Sequence, residues 1–125
     1  MSINLPLDDN EFRTLVANEA KGIAHPWVSR ALRQPENLDR WHYMLNVLKR
    51  DIEVQFAERE ARSLVKHQEC IDKGPEGRDE WLRYKRELVR WRAAASRFKC
   101  SIEARLMEVK LLRKEVDDRN TLLVE

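Results

Sequence analysis

Apolar residues recur at helical spacing along most of the chain. Phe12, Leu15, Val16, Ala20 and Ile23 follow Asp8 and Asp9, which predicts a first helix with acids in its opening turn, where the helix dipole favours them. His25-Pro26 stops that helix, and Pro26 suits the first position of a short second one carrying Trp27, Val28, Ala31 and Leu32. The two short helices together occupy residues 8–33.

No Gly or Pro occurs from Glu36 to Lys73, and Leu38, Trp41, Leu45, Leu48 and Ile52 alternate steps of three and four. That spacing predicts a long helix over residues 36–72 with a coiled-coil-like seam. Beyond Ile52 the seam steps by four to Phe56 and is expected to continue through Leu64, His67 and Ile71. A side stripe of Val47, Val54 and Ala61 widens its apolar face. Lys73-Gly74-Pro75-Glu76-Gly77-Arg78 reads as a turn, after which Asp79 is expected to cap a second long helix over residues 79–117. Its seam runs through Trp81, Tyr84, Leu88, Trp91, Ala95, Phe98 and Ile102, then shifts to Leu106, Val109, Leu112 and Val116. Residues 118–125 are left as a tail whose Leu122, Leu123 and Val124 either dock or stay loose.

The fold class is therefore all-α. One helical domain over residues 1–125 is expected, a long antiparallel hairpin with a small N-terminal helical region packed on it. Only 3 Gly and 4 Pro in 125 residues argue against a β-sandwich or barrel, whose turns consume both. No apolar run is long enough to span a bilayer, and Met1-Ser2-Ile3-Asn4 has neither the basic nor the apolar region of a signal peptide. A cytoplasmic location follows as the expectation.

Charge is abundant and nearly balanced, with 24 Lys and Arg against 22 Asp and Glu. The balance conceals one cationic stretch, since residues 81–114 hold 11 basic and 3 acidic groups. With Trp81 at heptad position a, Lys85, Arg92 and Lys99 fall at e, Arg83, Arg90 and Arg97 at c, and Arg86 at f. The e positions of the preceding long helix are His42, Lys49 and Phe56, which offer no carboxylate. The acidic first helix (Asp8, Asp9, Glu11, Glu19), another subunit or an anionic ligand is then expected near this flank.

Arg83, Arg86, Arg90, Arg92, Arg97 and Lys99 are accordingly the candidate surface for an anionic partner. Three readings stand side by side: a solvated face, a phosphate-binding surface for nucleic acid, or a face for an acidic protein. Trp81, Tyr84 and Trp91 lie at seam spacing and read as core, with base stacking as the alternative.

Catalytic chemistry finds little support. His25, His42 and His67 are scattered, and His67 with Cys70 at i and i+3 supplies two zinc ligands where four are needed. In the hairpin Cys70 and Cys100 differ in height by roughly 27 Å, which excludes a bridge, so both thiols are expected to be free. No Gly-rich phosphate loop, nucleophile elbow or Cys-x-x-Cys pair occurs. The carboxylates alternate with bases in the manner of solvated salt-bridging faces. A non-enzymatic protein with no catalytic, metal or cofactor site is expected. Its function is protein–protein interaction through the long hairpin, with a protein partner or its own copy, and nucleic-acid binding through residues 81–114 is the alternative.

The segment Trp81–Glu115 resembles small helical accessory proteins encoded by tailed phages and prophages of actinobacteria. The similar pieces are Trp91-Arg92, Arg97-Phe98-Lys99 and the run from Glu103 to Glu108, and the likeness extends back to Trp41 without covering residues 1–35. The resemblance implies an accessory protein acting in a bacterial cytoplasm, and it transfers no site residues.

Overall fold

The computed structural model describes residues 5–124 and is all-α, with no strand among them. The elements are α1 (Asp9–Ala20), α2 (Pro26–Leu32), a 3-10 turn at Pro35–Asn37, α3 (Leu38–Asp72) and α4 (Pro75–Val124). They form two compact units, Met1–Lys49 with Cys100–Glu125, and Arg50–Lys99.

In the first unit α1 and α2 pack on the opening turns of α3 and on the stretch of α4 from Ile102 to Arg113. Asp8 caps α1 by accepting from the backbone N–H groups of Asn10 and Glu11, and Asp9 and Glu11 sit in its first turn. The helix ends in a Schellman motif. Gly22 adopts φ +77°, its N–H bonds the Glu19 carbonyl, and the Ile23 N–H reaches back to the Asn18 carbonyl. Ile23 therefore lies beyond the helix and is 70% exposed, so it is not part of the apolar face that its spacing suggested. His25 caps α2 through Nδ1, which accepts from the Trp27 N–H.

Phe12 and Val16 of α1, Ala31 and Leu32 of α2, Trp41 and Leu45 of α3, and Ile102 and Val109 of α4 lose all contact with solvent. This is the main core. The Arg40 guanidinium lies 3.9 Å over the Phe12 ring and donates to the carbonyls of Pro6 and Leu7, which ties the N-terminal segment to α3.

Around that core runs a charged chain. Arg105 donates from Nε and Nη2 to both carboxylate oxygens of Glu19, at 2.6 and 3.0 Å, and also to the Glu19 carbonyl. Arg33 lies 3.7 Å from the same carboxylate and grips Glu108 in a second bidentate pair. Glu19 is the one buried charged residue among those described. Arg113 adds a pair with Asp39.

The second unit is a two-helix antiparallel hairpin. Glu53, Phe56 and His67 of α3 meet Lys99, Trp91 and Trp81 of α4 respectively, so the numbers rise on one helix as they fall on the other. The link is shorter than the 73–78 turn that the sequence suggested. Gly74, at φ +71°, closes α3 by bonding the Ile71 carbonyl, and Pro75 opens α4 at once, because its missing N–H and fixed φ cost nothing in a first helical turn. Glu76 to Asp79 are helical, and Asp79 is not the cap. Gly77 is buried against Cys70, where a Cβ would stand 1.9 Å from the Cys70 carbonyl oxygen. Only hydrogen fits there.

At the other end α4 runs through the expected tail to Val124. Leu122 is 72% exposed and undocked, while the side chains of Leu123 and Val124, and Glu125, lie outside the described residues.

Candidate functional site

The seam of α3 in the hairpin unit differs from its apolar pattern. From Ile52 onward the buried or half-buried positions are Ile52, Phe56, Arg59, Ser63, Lys66 and Cys70, in steps of four, three, four, three and four. Leu64 and Ile71, expected in the seam, are 70% and 57% exposed. His67 is exposed as well, although its ring stacks on Trp81 at 4.4 Å. A single four-residue step at Phe56 followed by regular heptads keeps the seam facing α4, whatever residues occupy it. Val54 and Ala61 of the expected side stripe are likewise exposed.

Polar seam residues are accommodated by specific contacts. The Arg59 guanidinium sits 4.3 Å over the Trp91 ring, which also meets Phe56 edge-on at 5.0 Å. Lys66 reaches Glu80 at 2.5 Å, and Lys73 reaches its other oxygen at 2.9 Å. Hydrogen bonds from Lys66, then Lys73, hold the Glu80 carboxyl down at about 2. A folded-state value below the ordinary one means that this clasp stabilises the link fully above about pH 4.5 and is lost as pH falls towards 2. Carboxyl NMR should therefore show Glu80 titrating near the bottom of that window. A midpoint at the ordinary glutamate value would show the clasp to be open in solution.

On α4 the seam is the regular one, and Trp81, Tyr84 and Trp91 are half-buried in it. Trp81 stacks on Tyr84 at 5.8 Å as well as on His67. Each of the three rings is engaged by another side chain within the hairpin, as the seam reading expects.

The predicted anionic-partner residues separate. Lys99 lies 3.5 Å from Glu53, a carboxylate that the four-residue step brings to the e position in place of Phe56. The expectation that the hairpin offers this flank no carboxylate is corrected at that point. Arg83, Arg86, Arg90, Arg92 and Arg97 are exposed and have no acidic partner among the described residues. Within the first unit Glu19 is committed to Arg105 and Asp9 to Arg40.

Two flanks of the hairpin unit carry different chemistry. In an antiparallel pair the e and b rows of both helices share one side and the g and c rows the other. Leu64 and Ile71 of α3 and Leu82 and Val89 of α4 fall in b rows, and all four are exposed. The row ends near the link in an open hollow of about 230 Å³, lined by His67, Ile71, Gly74, Arg78 and Trp81. Arg83, Arg90 and Arg97 fall on the opposite flank. Val65, missed as a surface feature in the sequence pattern, is 60% exposed there.

No three His, Cys, Asp or Glu side chains gather as metal ligands among the described residues, and Cys70 and Cys100 are free thiols, buried and exposed respectively. Among those residues no helix is long and apolar enough to cross a membrane. The architecture defines an all-α protein built on a helical hairpin. No protein-family model matches the chain, and neither a curated protein nor a solved structure is significantly similar to it.

Proposed function

We propose that this is a non-enzymatic helical interaction protein that presents its hairpin unit to a protein partner, in the simplest case a second copy. The observation that carries the reading is the exposed apolar row of Leu64, Ile71, Leu82 and Val89 on one flank of a two-helix unit. A pair of helices has one mutual seam, and apolar side chains outside it remain in water unless another chain covers them. Each such residue gains roughly 25 cal/mol per Å² when covered, so four in a row favour association. The likeness of residues 41–115 to phage-encoded accessory proteins agrees with a binding role in a bacterial cytoplasm.

Sedimentation equilibrium of the intact chain, with affinity capture from a bacterial lysate in parallel, tests the reading against a Leu64→Glu/Val89→Glu variant. Self-association, or a defined stoichiometric partner, that disappears in the variant at unchanged helix content supports it. A monomer that captures the same proteins with and without the two substitutions overturns it.

A further inference from the structure

We infer that the arginine stripe of α4 binds the phosphate backbone of a nucleic acid, duplex in preference to single strand, without reading sequence. This inference stands apart from the protein-facing reading because it uses the arginines and not the apolar side chains beside them, although Arg86 and Arg90 line one open hollow with Leu82 and Val89.

Arg83, Arg90 and Arg97 recur every seven residues, about 10.5 Å along the axis, and Arg86 lies within about 60° of their row. The four guanidiniums thus form one narrow stripe. All are exposed, and none has a carboxylate partner among the described residues. Several arginines elsewhere in the molecule are engaged by carboxylates: Arg33 with Glu108, Arg40 with Asp9, Arg62 with Glu58, Arg105 with Glu19 and Arg113 with Asp39. Between Trp81 and Lys99 the only acid is Glu87.

Arg83 and Arg86 at i,i+3, and Arg86 and Arg90 at i,i+4, are like-charged neighbours, an arrangement that destabilises an isolated helix by a few tenths of a kcal/mol per pair. A line of phosphates relieves that repulsion. The residue type points the same way, because guanidinium matches phosphate oxygens with two parallel donors, where lysine would supply a point charge.

The seam supplies the second half of the inference. Trp81, Tyr84 and Trp91 are half-buried in the hairpin seam and held by neighbouring side chains, so the stripe presents cations without a freely exposed aromatic ring among its own residues. Single-strand binders depend on such rings as platforms. A surface of guanidiniums alone responds to charge density, which is higher on a duplex. Leu82 and Val89 lie in a different row and do not interrupt the stripe.

Fluorescence anisotropy of the intact protein with a labelled duplex of about 30 base pairs, its single strand and poly-L-glutamate, at about 50 and 200 mM salt, tests this. Four phosphate contacts should cost about a hundredfold in duplex affinity across that range. The Arg83→Ala/Arg90→Ala/Arg97→Ala variant should lose at least about tenfold at the lower salt and flatten the salt slope by nearly three. Alanine favours the helix, so folding is not at stake. Leu64→Ser/Ile71→Ser, which removes apolar surface from α3 without adding charge beside the stripe, should bind the duplex within a few-fold of wild type, which separates this outcome from failure of the protein-facing reading. Unchanged affinity in the triple variant, no binding at the lower salt, or poly-L-glutamate bound as tightly as the duplex overturns the inference. The last result would assign the stripe to an acidic protein.

Discussion

Replacing Glu19 by alanine should lower the stability of the unit it belongs to by about 3 kcal/mol, or roughly 10 °C in Tm. The carboxylate is buried, and it receives two hydrogen bonds from Arg105 while lying 3.7 Å from Arg33. Its removal leaves Arg105, with only 20% of its side chain exposed, holding a charge that water reaches poorly. Arg105 keeps its bonds to the Ser101 and Glu19 carbonyls, which places the loss at the lower end of what breaking a buried pair costs. Urea denaturation of Glu19→Ala, Arg105→Ala and the double variant gives the coupling directly. A coupling below about 0.5 kcal/mol would mean that the pair is solvated, as exposed ion pairs are.

The second large effect is expected at Gly77. A Cβ there meets the Cys70 oxygen, carbonyl carbon and Cα at 1.9, 2.7 and 2.9 Å, all backbone atoms of the facing helix. No rotamer change relieves such a contact, so the two helices must separate near the link. Gly77→Ala should cost about 3 kcal/mol, the upper part of the usual overpacking range. It should also loosen the Lys66–Glu80 clasp and the His67–Trp81 stack, seen as a shifted Trp81 environment and faster amide exchange around the link. Gly74→Ala is the control. It meets nothing within 4 Å and bears only the strain of φ +71°, about 1 kcal/mol. Equal, small effects at both glycines would show that α3 and α4 stand further apart at the link in solution.

Much of the architecture was legible in the residues. Leu38, Trp41, Leu45, Leu48 and Ile52 are all buried as their spacing implied, and the α4 seam through Trp81, Leu88 and Ile102 keeps its heptads. Those helices have apolar side chains wherever the partner helix lies. From Arg59 to Cys70 that correspondence fails, since Arg59, Ser63 and Lys66 occupy the seam while Leu64 and Ile71 face water. An apolar count follows the more hydrophobic row and misses a row held by a stacked guanidinium and a carboxylate clasp.

Local sequence therefore determined that the chain is helical, where its short helices begin, and that α4 is cationic, because capping, proline placement and heptad spacing act over a few residues. The Gly22 and Gly74 stops belong to the same class. Tertiary structure alone decided the rest. Which cations are neutralised depended on the α3 register, since one four-residue step placed Glu53 rather than Phe56 beside Lys99. Which carboxylate is buried depended on α1 lying against α4, which brings Glu19 to a residue 86 positions away. Pairings of that kind reflect where packing sets two helices, and no periodicity within either helix encodes them.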